Sequence, residues 1–179
     1  KEVKIEQDEK LSSPAKVEEA EKYGREYHLI KFKNNTPYKN HFILHELVHL
    51  DLISKGRAVN NNKSFISDND TKRLFVKDTE AKLRKLIATG LTEKDIEHLS
   101  DMQYHGLLSQ LFNNPLDLIV EDFIYKNYPE HRPSQLIALL FLQDTAIEVA
   151  NKKEIKEFFP KFVVDCNVVM NLVHVNQIK

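Results

Sequence analysis

The stretch Phe42-Ile43-Leu44-His45-Glu46-Leu47-Val48-His49-Leu50 constrains this chain more than any other part of it. Two histidines stand four residues apart, with a glutamate after the first, inside an apolar run. On an α-helix, positions i and i+4 lie on one face, one turn apart. His45 and His49 can then reach a common partner. The helical pattern runs from about Tyr38 to Lys55. Phe42, Ile43, Leu47, Val48, Leu50, Leu52 and Ile53 supply a broad surface for burial. Lys55 in the last turn and Gly56 after it read as a stop.

A helix with this H-E-x-x-H spacing offers two imidazole nitrogens to a single Zn²⁺ at about 2.0–2.1 Å. Glu46 projects toward the same space, where it can take a proton from water at the metal and pass it to a leaving amine. The pattern points to zinc-dependent hydrolysis of peptide bonds. A lone histidine on such a helix is usually a core-edge residue. Two of them on a largely buried helix fit that reading poorly, because each needs a polar partner or incurs a desolvation cost.

A catalytic zinc site normally keeps three protein ligands and one open position. Cys166 is the only cysteine, so an internal disulfide and a Cys-based zinc site are excluded. Its apolar surroundings, Phe162 to Val169, mark it as a core residue rather than a nucleophile. The third ligand must come from a histidine or a carboxylate downstream. On the stretch from Pro115 to Tyr125, Leu116, Ile119, Val120, Phe123 and Ile124 make an apolar face. Asp117, Glu121 and Tyr125 follow its edge at i, i+4 and i+8. A carboxylate bordering a buried face needs a partner, and a metal is a good one.

Glu121 is therefore the leading third ligand, with Asp117 and Asp122 as alternatives. Asp117 can also orient a ligand histidine or Glu121 itself. The plain reading is a helix with an exposed acidic strip. His98 and His105, with Asp101, form another candidate group for a ligand or an oxyanion partner, against an ordinary surface helix. His41 shares the motif face and borders the site. His28, His131 and His174 carry no spacing argument. Tyr125, Tyr104, His105 and His131 are candidates for stabilising an oxyanion.

The length, 179 residues, suits one sizeable domain. With 26 Lys+Arg against 27 Asp+Glu, bulk charge gives no reason to expect nucleic acid or an anionic membrane as partner. The partner expected is a peptide or protein substrate. No apolar run reaches the length of a membrane span. The single cysteine and the lack of a visible secretory signal favour the cytoplasm.

Residues 1–13 are mostly charged and read as a flexible arm, leaving a single domain over 14–179. Ser13-Pro14 can open a short helix from Ala15 to Tyr23, closed by Gly24. Tyr27 to Phe32 is the best strand candidate, and Asn34-Asn35-Thr36-Pro37 is a turn. A polar connection covers 56–70, with short strand pieces at Ala58-Val59 or Ser64-Phe65-Ile66. Helices follow over Thr71 to Thr89, from Thr92 to about Phe112 with Asp95 completing a capping box, from Asn114 to about Asn127, and from Ser134 to Asn151. The Val-rich tail from Lys152 favours a strand by propensity, with a helix as the alternative. The fold class is α+β, mainly helical, with a small sheet beside the motif helix.

Strand, turn, then a helix bearing Phe42-x-x-His45-Glu46-x-x-His49 resembles the zincin metallopeptidases, and in particular the compact ImmA/IrrE-type peptidases. Those are gluzincins. The resemblance implies His45 and His49 as zinc ligands, Glu46 as general base and acid, and a glutamate on a later helix as third ligand, for which Glu121 is the best match. It also implies that the strand at 27–32 binds an extended peptide by edge pairing. The interval between His49 and Glu121 is long for the compact pattern, and there is no Gly and third His soon after His49. Two other readings share the same residues: a zincin-fold binding or regulatory module without turnover, and a structural zinc site closed by a fourth ligand such as His105 or Asp117.

Overall fold

The computed structural model describes residues 1–61, 67–153 and 159–178. They form a mainly helical chain with a small three-stranded sheet, the class expected from the sequence. The strands are β1 (Glu2–Gln7), β2 (Ala15–Glu18) and β3 (Tyr27–Phe32). The helices are α1 (Lys39–Ala58), α2 (Asn69–Leu83), α3 (Glu93–Leu108), α4 (Asn114–Asn127), α5 (Arg132–Asn151) and α6 (Lys161–Ile178). The residues group into two compact units, one of 1–63 with 119–142 and the other of 64–118 with 143–179.

In the first unit the strand order is β1-β3-β2. β1 runs parallel to β3 from Glu2↔Tyr27 to Gln7↔Phe32, and β2 runs antiparallel to it from Ala15↔Phe32 to Glu18↔Leu29. Two expectations are corrected here. Residues 2–7 are a strand rather than part of a flexible arm, because β3 supplies a full hydrogen-bonding partner to a segment too polar to be ordered alone. Residues 15–18 are a strand rather than the start of a helix, for the same reason on the other side of β3. The chain then turns at Gly24, whose φ of 63° is the left-handed conformation glycine adopts without a Cβ penalty. The Arg25 amide closes this turn by donating to the Ala20 carbonyl at 2.9 Å.

β3 is the central strand, and Leu29 and Ile30 on it are buried. α1 packs against β2 and β3. It runs through Gly56 to Ala58, because Arg57 is tied down beyond the glycine. The Arg57 guanidinium donates to Glu21 at 2.8 Å and also to Glu19. Ala15, Phe42 and Ala138 form one core, joined by Phe32. Val48, Val120 and Ile124 form another, covered by Leu44, Leu52, Phe123 and Tyr128. The motif helix thus contributes a side chain to each core.

The second unit holds α2, α3 and α6. Asp68 caps α2 by accepting from the Thr71 amide at 2.7 Å. The capping box of Thr92 with Asp95 is present at the start of α3. No break separates α3 from α4: Ser109–Asn113 is a π-turn and Asn114 has helical dihedrals. A wider turn suits Pro115, which has no N–H to continue an α-helical ladder. The tail is helical over Lys161–Ile178, where Val163 packs on Phe75 and Tyr104. Ala58 ends α1 rather than starting a strand, and Ser64–Ile66 lie outside the described residues.

Ile124 has no exposed surface and sits between α1 residues and Val120. Ile124→Ala should lower the unfolding free energy by about 2–5 kcal/mol, measured by urea titration.

Candidate metal centre

The first unit brings together His41, His45 and His49 from α1, Glu121 from α4 and Gln135 from α5. Three consecutive turns of α1 carry the imidazoles on one face, as the four-residue spacing requires. The rings of His45 and His49 lie 4.8 Å apart between centroids, and those of His41 and His45 6.5 Å.

Glu121 lies at the centre of the polar contacts. Only 4 % of its surface is exposed. Its Oε1 accepts from His45 Nδ1 at 2.6 Å and from His41 Nε2 at 3.1 Å. Its Oε2 accepts from Gln135 Nε2 at 2.6 Å, and the same amide donates to the Glu121 backbone carbonyl at 2.8 Å. Burial pushes the carboxyl pKa up, and the hydrogen bonds and positive potential of His41 and His45 reverse that push and hold it below the usual carboxylate range. The carboxylate is therefore ionised at neutral pH.

On the far side of the His45 ring, Nε2 lies 3.0 Å from Nε2 of His49. A tetrahedral zinc with bonds of 2.0–2.1 Å separates its ligand atoms by about 3.3–3.4 Å, so this pair fits one ion after a small adjustment. The ligand atoms of His41, His45 and Glu121 also lie within 4.8 Å of one another. The set expected from the sequence was His45, His49 and Glu121. The structure places Glu121 against His45 and His41, and His49 against the opposite nitrogen of His45.

Glu46 is half-buried, and its Oε2 accepts from the backbone amide of Val17 at 3.0 Å. That amide belongs to β2, an edge strand, and points away from β3. The general-base candidate is thus fixed on the outward edge of the sheet. The expectation that Tyr27–Phe32 pairs with a peptide is corrected: β3 is flanked by strands on both sides and has no open edge.

Asp117, His98 and His105 belong to the second unit. Asp117 accepts from Asn113 Nδ2 at 2.9 Å, and Asp101 pairs with Lys72 at 2.6 Å. Asp122 is exposed and pairs with Lys126 at 2.6 Å. Tyr125 is exposed, with the Arg132 guanidinium 4.2 Å from its ring centroid. Tyr104 is buried in the Phe75 core, and His131 is half-buried beside Tyr128. His28 is buried, and its Nδ1 accepts from the Ala20 amide at 3.1 Å, which marks it as a turn-fixing residue. Cys166 is half-buried on α6, and burial raises its thiol pKa.

His41 does more than border the site: it is 1 % exposed and bonded to Glu121. Its place one turn before His45 was the available signal. Gln135 had none, being one amide on an apolar helix. No protein-family model, curated protein or solved structure matches this chain.

Because the folded pKa of Glu121 lies below its unfolded value of about 4.3, its contribution to stability is complete above that value. It is lost as pH falls through the folded pKa. Below about pH 4, the stability of the parent should therefore fall more steeply than that of Glu121→Gln, in urea titrations across pH 3–7.

Proposed function

We propose that this chain is a zinc-dependent peptidase with a zincin-like fold, similar to the ImmA/IrrE-type peptidases, acting on a peptide or protein substrate. His45 and His49 hold the ion, Glu121 is the carboxylate of the same centre, and Glu46 is the general base and acid. The observation that carries this reading is the facing of His45 Nε2 and His49 Nε2 at 3.0 Å on the helix that also bears Glu46. Without an ion the two nitrogens can meet only if one carries a hydrogen; with an ion both lone pairs are used.

Zinc, when bound, supplies a Lewis acid that polarises a carbonyl and makes water more acidic. The rest of the chemistry belongs to the chain. Glu46 takes a proton from the attacking water and returns it to the leaving nitrogen. Its bond to the Val17 amide fixes the carboxylate on α1 toward the edge of β2.

A protein that binds zinc at this centre but does not cleave would be a binding module, and one whose ion has four protein ligands would be a structural site. Both are separated from the enzyme by one comparison. Zinc content and cleavage of a denatured protein and a mixed peptide library are measured for the parent, Glu46→Gln and His49→Ala. The parent should contain zinc and cleave. Glu46→Gln should keep its zinc and lose at least about a hundredfold in rate, and His49→Ala should lose both. A zinc-loaded parent with no turnover, or Glu46→Gln cleaving at the parent rate, would defeat the peptidase reading.

A further inference from the structure

We infer that Glu121 serves the centre from behind, as a positioning residue for His45, and is not the third zinc ligand. The inference rests on the zinc-centre reading above and assigns this carboxylate a role other than the one its motif resemblance implies.

Four observations carry it. First, the contact between Glu121 Oε1 and His45 Nδ1 is 2.6 Å. That is the length of a charge-assisted hydrogen bond, and it is made on the ring nitrogen opposite the one that faces His49. Second, Oε1 meets both His45 Nδ1 and His41 Nε2 while Oε2 takes the Gln135 amide, so the carboxyl group is the acceptor in this arrangement and Nδ1 of His45 carries the hydrogen. In a neutral imidazole the lone pair then lies on Nε2, which is the nitrogen facing His49. Metal-binding histidines characteristically donate their other ring N–H to a carboxylate in this way.

Third, both oxygens of Glu121 are already engaged. Oε1 also accepts from His41 Nε2 at 3.1 Å, and Oε2 accepts from Gln135 Nε2 at 2.6 Å. Turning an oxygen toward an ion would strip donors from a carboxylate that is 4 % exposed, at a desolvation cost that the present arrangement avoids. Fourth, His41 and Gln135 are themselves buried, at 1 % and 4 % exposure. They come from two different helices and converge on this one side chain. Together they form a clamp that fixes the carboxylate, which in turn fixes the His45 ring in the tautomer that presents Nε2.

The test uses the full chain, with zinc alone and cobalt(II) alone as probes. Long-range ¹H–¹⁵N correlation spectra report the tautomer of His45 in the metal-free and zinc-loaded parent. Metal affinity and the cobalt d–d spectrum are then compared among the parent, Glu121→Gln and Glu121→Ala. Gln at 121 can still accept from Nδ1–H, whereas Ala cannot. We expect an Nδ1–H tautomer of His45 in the metal-free chain, and retention of that proton on zinc loading with a metal shift at Nε2. We expect Glu121→Ala to weaken zinc binding by about 10–100-fold. Glu121→Gln should bind more tightly than Glu121→Ala and keep the parent's cobalt spectrum.

An Nε2–H tautomer in the metal-free chain, loss of the Nδ1 proton on zinc loading, or a cobalt spectrum altered by Glu121→Gln would each overturn the inference. A parent that takes up no zinc would defeat the zinc-centre reading, and the metal-free tautomer alone would then decide the role of Glu121. The parent spectra give an answer even where a variant does not fold.

Discussion

The buried carboxylate of Glu121 is the interaction on which the first unit depends. It accepts hydrogen bonds from His41 and His45 on α1 and from Gln135 on α5, while its own helix supplies Val120 and Ile124 to the adjoining core. A carboxylate at that depth is costly unless both oxygens are hydrogen-bonded. Here three N–H donors serve it. The donors come from two elements, so the same requirement that keeps the charge stable also fixes how α1, α4 and α5 lie within the unit.

That constraint passes directly to the motif. An imidazole has two nitrogens with opposite roles in its neutral form, and which one faces a metal is decided by what holds the other. In this chain the holding group is Glu121, and the nitrogen left over faces His49. The geometry of the pair is therefore set from outside the motif helix. Glu46 is set in the same manner by the sheet, through the Val17 amide on the outward edge of β2. The two halves of the proposed chemistry, the ion-holding pair and the proton carrier, are positioned by separate elements packed on one helix.

The sheet and the motif helix are coupled by charges as well. Glu18 at the end of β2 is buried against Arg25 and Lys31, and burial, which raises its pKa, is outweighed by their hydrogen bonds, so it remains ionised. Arg57 ties the end of α1 to Glu19 and Glu21 in the segment after β2. Exposed pairs contribute little individually. The buried Glu18 pair matters more, because removing one partner would leave a charge without compensation.

How much of this was legible in the sequence depends on whether the determining interaction is local. The motif helix, the strand at 27–32, the capping box of Thr92 with Asp95 and the helix bearing Glu121 follow from periodicity and short-range chemistry, and all are present. Residues 2–7 and 15–18 do not read as strands on their own because a strand has no stable form without its neighbour, and the β3 partner of Glu2 is Tyr27, 25 residues along the chain (27 − 2 = 25). The buried face of α4 also differs from the one its apolar residues suggest: Leu116 and Ile119 are exposed, while Glu121 sits inside the buried face rather than at its edge. That His45 and His49 share a helical face follows from their spacing alone, because the turn of a helix is a local property. Which nitrogen of His45 Glu121 holds, what role His41 and Gln135 have, and which strand edge Glu46 meets arise only in the folded chain, because those depend on side chains that converge from elements up to 94 residues apart, as His41 and Gln135 are (135 − 41 = 94).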